Sequence, residues 1–259
     1  MALAGALALA AYVDVLLVGA VVVVVQLIVA LASAPVDDRG RSIPSPRFAA
    51  AVAAGLVATG VTLVPRLLDG ADGSRSTADV RVASGTLAAL LPAIAAAVLV
   101  TLIAEMRRTD GRRELVSSAG YAVSLGVFSA LAVGWIGAAQ ALDDPDVVVV
   151  ASAGIVAGTL FWMAPVGRWW CGGLVVLVGA GAGALVVLQL DSVVTMALGV
   201  ALGAASALFA VLGQVIGRAW AHDRPHASAG WGFPGAMSIA LVGPVVYVGG
   251  QLVGVPGLT

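Results

Sequence analysis

The chain has 259 residues, is 61% hydrophobic, and carries 13 basic and 14 acidic side chains, for a net charge of −1 and a mean hydropathy of +1.07. Soluble domains run near 45–50% apolar and about 25% charged, so the apolar excess here must face a bilayer. So few cations exclude the broad basic face of a nucleic-acid binder, and a lone cysteine, Cys171, excludes an internal disulfide and a multi-cysteine metal site.

The first stretch, Met1 to Ser33, lacks the basic start of a cleaved signal and exceeds an h-region in length, so it is expected to be retained. As one helix it would measure about 50 Å against a hydrocarbon core of ~30 Å. Asp14 therefore marks the outer end of a single span beginning near Val15, or sits in a turn between two helices. Either arrangement spares it the bilayer centre, where a carboxylate costs at least ~2.5 kcal/mol. Further apolar segments of spanning length lie near 47–67, 82–106, 115–141, 146–163, 169–190, 192–217 and 233–254. The expected fold is an all-α polytopic transmembrane helix bundle, one integral membrane domain over 1–259, with eight spans, or nine if the first stretch is a hairpin.

On alternate loops Arg39, Arg41, Arg47, Arg107, Arg108, Arg112, Arg113, Arg168, Arg218 and Arg224 gather on one side, and Arg66, Arg75 and Arg81 on the other. Cytoplasmic loops attract basic residues, so the first set is expected to face inward across the inner (plasma) membrane, with the C-terminus outside. Trp162, Trp169, Trp170, Trp220 and Trp231 stand at span ends beside the loops near 164–168 and 218–232. Amphipathic indoles favour that depth as interface anchors, with lipid-headgroup contact as the functional alternative. Small-residue pairs Gly199/Gly203 and Gly213/Gly217, and the run Gly179-Ala180-Gly181-Ala182-Gly183, predict close helix packing, within the chain, in a homodimer or against a membrane protein partner.

Polar residues within the spans are few: Gln26, Gln140, Gln189, Gln214 and scattered Ser and Thr, with Glu105 and Asp191 at span ends. An ion-coupled carrier needs an ionisable group near the midplane, so both acids read as interfacial. His222 and His226 stand four apart in His222-Asp223-Arg224-Pro225-His226, but Pro225 breaks the helix that would pair them. No metal site is expected there, and a solvated loop touching anionic headgroups is the better reading. The cluster Arg107, Arg108, Arg112 and Arg113 is first an orientation determinant, and its guanidiniums could also attract lipid or nucleotide phosphates. No strand-to-helix nucleophile elbow and no Gly-rich loop followed by Lys is present, which excludes a hydrolase triad and a Walker-type site.

From Val149-Val150-Ala151-Ser152-Ala153-Gly154-Ile155-Val156-Ala157-Gly158 onward, the chain resembles the phosphatidate cytidylyltransferases (CDP-diacylglycerol synthases), which carry a V-V-A-S-D-T-G-A-Y-x-A-G segment. The likeness continues through Met163-Ala164-Pro165 and Arg168-Trp169-Trp170-Cys171-Gly172, where the family has a basic, Ser, Trp, Glu, Gly sequence. Leu212-Gly213-Gln214 is similar to the family's L-G-D, and Pro234-Gly235 to its P-G-H-G-G. The resemblance covers about 149–259, and the earlier half agrees only in hydropathy. It implies transfer of a cytidylyl group from CTP to phosphatidate, with a divalent metal held by cytoplasmic acids. Here those acids are replaced by Ala153, Cys171 and Gln214, and the D-R-x-D-S element has no counterpart after Gly235. Mg²⁺ requires hard oxygen donors, and losing them removes orders of magnitude in rate.

The resemblance then implies a non-catalytic relative, without catalytic residues or cofactor, that binds membrane lipids or serves as a partner subunit. Ser152, Arg168, Gln214 and Arg218 would surround its cytoplasmic pocket, with Arg107, Arg108, Arg112, Arg113, Trp169, Trp170, Trp220 and Trp231 at the headgroup interface. One alternative is a small-solute or lipid transporter, whose path the four glutamines would have to line. Another is an active Mg²⁺-dependent cytidylyltransferase using Asp37, Asp38, Glu105 or Asp223.

Overall fold

The computed structural model describes residues 1–35, 42–64, 87–109, 114–142, 145–164, 168–190, 194–221 and 232–253. Regular structure there is helical: α1 Ala2–Val13, α2 Val15–Ala30, α3 Arg47–Leu63, α4 Leu87–Met106, α5 Leu115–Leu131, α6 Gly134–Leu142, α7 Asp146–Trp162, α8 Arg168–Gln189, α9 Met196–Ala221 and α10 Phe233–Val253. Helices satisfy their own backbone hydrogen bonds, which a hydrocarbon solvent demands. Among the described helices, α4, the joined α5–α6, α8, α9 and α10 are long and apolar enough to cross a membrane. Large apolar side chains point outward on the two most exposed of these, Leu91 and Leu99 on α4 and Leu177, Leu185 and Leu188 on α8. Such faces are stable against lipid and untenable in water.

The first stretch is two helices. Asp14 between them is extended, with φ −165° and ψ 145°, and its carboxylate accepts the Leu16 N–H at 3.0 Å as the N-cap of α2. Met1 lies beside Trp162 of α7 and Arg218 of α9, and α2 closes near the same end, where Arg47 Nε donates to the Ala32 carbonyl at 2.7 Å. α1 and α2 pack against each other, so they double back with Asp14 at the turn. With 12 residues, α1 measures about 18 Å and is too short to span.

One end of the bundle collects the starts of α3, α5, α8 and α10 and the ends of α2, α4, α7 and α9. The described members of the larger arginine set, Arg47, Arg107, Arg108, Arg168 and Arg218, all belong to these termini. Deeper down, Gln26 of α2 joins three helices: its Nε2 donates to Thr59 Oγ1 on α3 at 3.0 Å and to the Ser129 carbonyl on α5 at 3.2 Å, and Thr59 Oγ1 donates back to Gln26 Oε1. Gly55 leaves room for this cluster, since a Cβ there would stand 2.6 Å from Ser129 Oγ.

α9 is the central packing element, lying against α7, α8 and α10. A Cβ at Gly154 of α7 or at Gly179 of α8 would come within 2.6 Å of the Gly203 carbonyl oxygen on α9. Lower on the same helix, a Cβ at Gly217 would meet Pro234 Cα of α10 at 2.6 Å. The glycine pairs of α9 are thus used inside the chain. Gly181, two residues past Gly179, faces open space. Gly203→Val is therefore expected to destabilise the bundle by roughly 1–3 kcal/mol or more, whereas Gly181→Val leaves it unchanged, as read by thermal unfolding of the detergent-solubilised protein.

Candidate functional site

At the arginine-bearing end, α7, α9 and α10 frame a cavity of about 490 Å³, lined by Thr159 and Trp162 of α7 and its C-cap Met163, Gln214 and Arg218 of α9, Pro234 and Gly235 of α10, and Met1. Helical spacing brings them together. Gln214 and Arg218 are i and i+4 on α9, and Thr159, Trp162 and Met163 are i, i+3 and i+4 at the C-terminal end of α7. The neighbouring α9 face, Gly213 and Gly217, admits α10 so closely that Pro234 and Gly235 become the third wall.

Register explains why space remains. α7 and α9 run parallel, with Gly154 against Gly203 and Gly158 against Ala207. The offset is therefore 49 residues (203 − 154 and 207 − 158), and Trp162, the last residue of α7, stands level with position 211. Gln214 and Arg218 project about one and two turns beyond that stop.

The cavity sets one guanidinium and one amide beside apolar surface. Arg218 is exposed and makes no ion pair among the described residues, Gln214 is half-buried, and no carboxylate is among the lining residues. Thr159 spends its hydroxyl on its own helix, donating to the Ile155 carbonyl at 2.7 Å with the Val156 carbonyl at 3.1 Å. Trp162, Met163 and Met1 offer indole and thioether surface beside the guanidinium.

No family model, no curated protein and no solved structure matches this chain. The site must therefore be read from its own residues. Of the four expected pocket residues, Gln214 and Arg218 share the cavity. Ser152 does not: it lies seven residues before Thr159, about 10 Å along α7, 3% exposed, with no hydrogen-bond partner for its hydroxyl. Arg168 begins α8, and its side chain, with those of Trp169, Trp170 and Cys171, lies outside the described residues, as do Arg112, Arg113 and Trp231. Arg107 is exposed at the same end. Trp220 packs against Tyr121 and Phe128 of α5, with ring centroids 5.2 and 5.6 Å away, so it ties α9 to the other half of the bundle. Thr159 was not singled out from sequence, although its spacing to Trp162 and Met163 was available as a signal.

Of the acids named as substitute metal ligands, Glu105 alone is among the described residues, and it does not line the cavity. Asp37, Asp38 and Asp223 lie outside the described residues, together with His222 and His226. Glu105, 4% exposed, pairs with Arg108 at 2.7 Å and contacts the Ser118 hydroxyl, which also reaches the Pro44 carbonyl at 2.9 Å. Ser45 Oγ donates to the Ser118 carbonyl at 3.0 Å, and Tyr121 OH to the Ser33 carbonyl at 2.7 Å. This collar pins the segment between α2 and α3 onto α4 and α5. Among the described residues no three of His, Cys, Asp and Glu come together as a metal-sized group. Glu105→Ala should lower stability by roughly 1–3 kcal/mol, the cost of leaving buried hydrogen-bonding groups unpaired, with Glu105→Gln recovering part of the loss in the same thermal measurement.

Proposed function

We propose that this chain is a multi-pass membrane protein whose arginine-bearing end faces the cytoplasm, and that its cavity holds the headgroup of an anionic phospholipid without catalysing cytidylyl transfer. In this reading α2, α3, α4, α5–α6, α7, α8, α9 and α10 each cross the inner membrane, α1 enters from the cytoplasmic side without crossing, and α10 runs outward. The observation that carries it is the cavity, where one guanidinium and one amide meet aromatic and thioether surface at the depth expected of headgroups. Two segments behind the cytidylyltransferase resemblance, Leu212-Gly213-Gln214 and Pro234-Gly235, bring Gln214, Pro234 and Gly235 to this cavity, which supports a relative that keeps a lipid pocket. Gln214 stands where the family's acid would be, and an amide is a poor substitute for a magnesium-binding carboxylate.

The transporter reading gains nothing from the glutamines. Gln26 is held by Thr59 and Ser129, Gln140 Nε2 donates to the Thr62 carbonyl at 3.4 Å near the far end of α3, Gln189 is exposed at the end of α8, and Gln214 lines the cavity.

Purified protein in nanodiscs is expected to bind fluorescent phosphatidate in preference to phosphatidylcholine. Arg218→Ala should weaken that binding by about tenfold, corresponding to roughly 1.5 kcal/mol for a charge-assisted hydrogen bond, while Arg107→Ala, outside the cavity, leaves it unchanged. With CTP, phosphatidate and Mg²⁺, no CDP-diacylglycerol should form. Robust product would make the protein an enzyme, and equal binding of both lipids would remove the anionic site.

A further inference from the structure

Met1, the N-cap of α1, lines the cavity, and the way α1 is attached is unlike the rest of the bundle. Its link to α2 is the single extended residue Asp14, whose carboxylate and carbonyl both serve α2, accepting the N–H groups of Leu16, Leu17 and Val18. Only Ala4, Leu7 and Ala10 are buried, a stripe with one large side chain, while Leu9, Tyr12 and Val13 on the other face are 72%, 55% and 71% exposed. α1 packs on α7 and α2 and touches α10, and Met1 just before it lines the cavity with Trp162, Met163 and Arg218. Leu3 and Ala11 add partly buried contacts with the core. Between helices in lipid there is no hydrophobic drive to association, so a short helix whose inner face is mostly alanine, and that cannot be pinned at both interfaces, is held less firmly than its neighbours.

We propose that α1 is a hinged strap that turns about Asp14 and opens the cavity sideways to the bilayer, so that an acylated ligand enters and leaves without lifting its chains through the headgroup layer. The inference rests on the lipid reading of the cavity. It follows from geometry: close backbone contacts hold α7 to α9 and α9 to α10, which leaves Met1, carried by α1, as the part of the lining that can move.

The test uses the full chain carrying Cys171→Ala, Ala2→Cys and Met163→Cys, bridged by a short bis-methanethiosulfonate after loading with fluorescent phosphatidate in nanodiscs. Bridging is expected to slow release of the bound lipid by about tenfold or more, and reductant to restore the original rate. Leu7→Ala, which removes the one large buried side chain of α1, should speed release while phosphatidate is still bound, although the cavity it leaves lowers the unfolding midpoint. Unchanged release in both the bridged protein and Leu7→Ala, with lipid binding intact, would overturn the strap and leave the lipid site standing. Failure of the parent chain, without the cysteine substitutions, to bind any phospholipid would overturn the lipid reading, and the strap with it.

Discussion

Helices in hydrocarbon gain little by hiding apolar surface from one another, so α9 holds its neighbours by how near their backbones come, and glycine sets that distance. Gly203 meets Gly154 of α7 and Gly179 of α8, and ten to fourteen residues further on Gly213 and Gly217 meet α10 at Ser238 and Pro234. These contacts fix both the lateral position and the register of the three partners. A side chain larger than hydrogen at any of them would push a helix outward, and the cavity at the arginine-bearing end would lose its walls.

Register turns packing into a site. α7 and α9 run side by side until α7 stops at Trp162, and α9 continues for more than two further turns to Ala221. The surplus length carries Gln214 and Arg218, and the start of α10 stands opposite. No carboxylate is among the described residues that line this pocket. The buried acid Glu105 is instead used in the other half of the bundle, where it holds Arg108 and Ser118 together and fastens the segment ahead of α3. The two halves thus divide the polar chemistry: one spends it on internal hydrogen bonds, and the other leaves a guanidinium and an amide facing a cavity.

Two large buried polar side chains join helices across the bundle. Gln26 is satisfied by Thr59 and by the Ser129 carbonyl because Gly55 gives way, and Trp135 donates its indole N–H to the Ile239 carbonyl at 2.9 Å, five residues before Pro244 of α10. Each cross-links helices distant in sequence.

Hydropathy made the helical segments from 47 onward legible, because a run of about twenty apolar residues has few other uses, and the small-residue pairs rightly foretold close packing. Arginine placement foretold which helix ends share one side, and the described arginines do lie at one end. Whether Asp14 marked an interface or a turn was open in the sequence, since both keep the carboxylate from the bilayer centre. Tertiary structure decided for the turn by seating Met1 beside Arg218. It likewise separated Ser152 from Gln214 and Arg218, which motif order alone had grouped. Composition and periodicity act through local solvation and so are written in the chain. Helix register depends on which glycines meet across an interface, and that is a property of pairs distant in sequence.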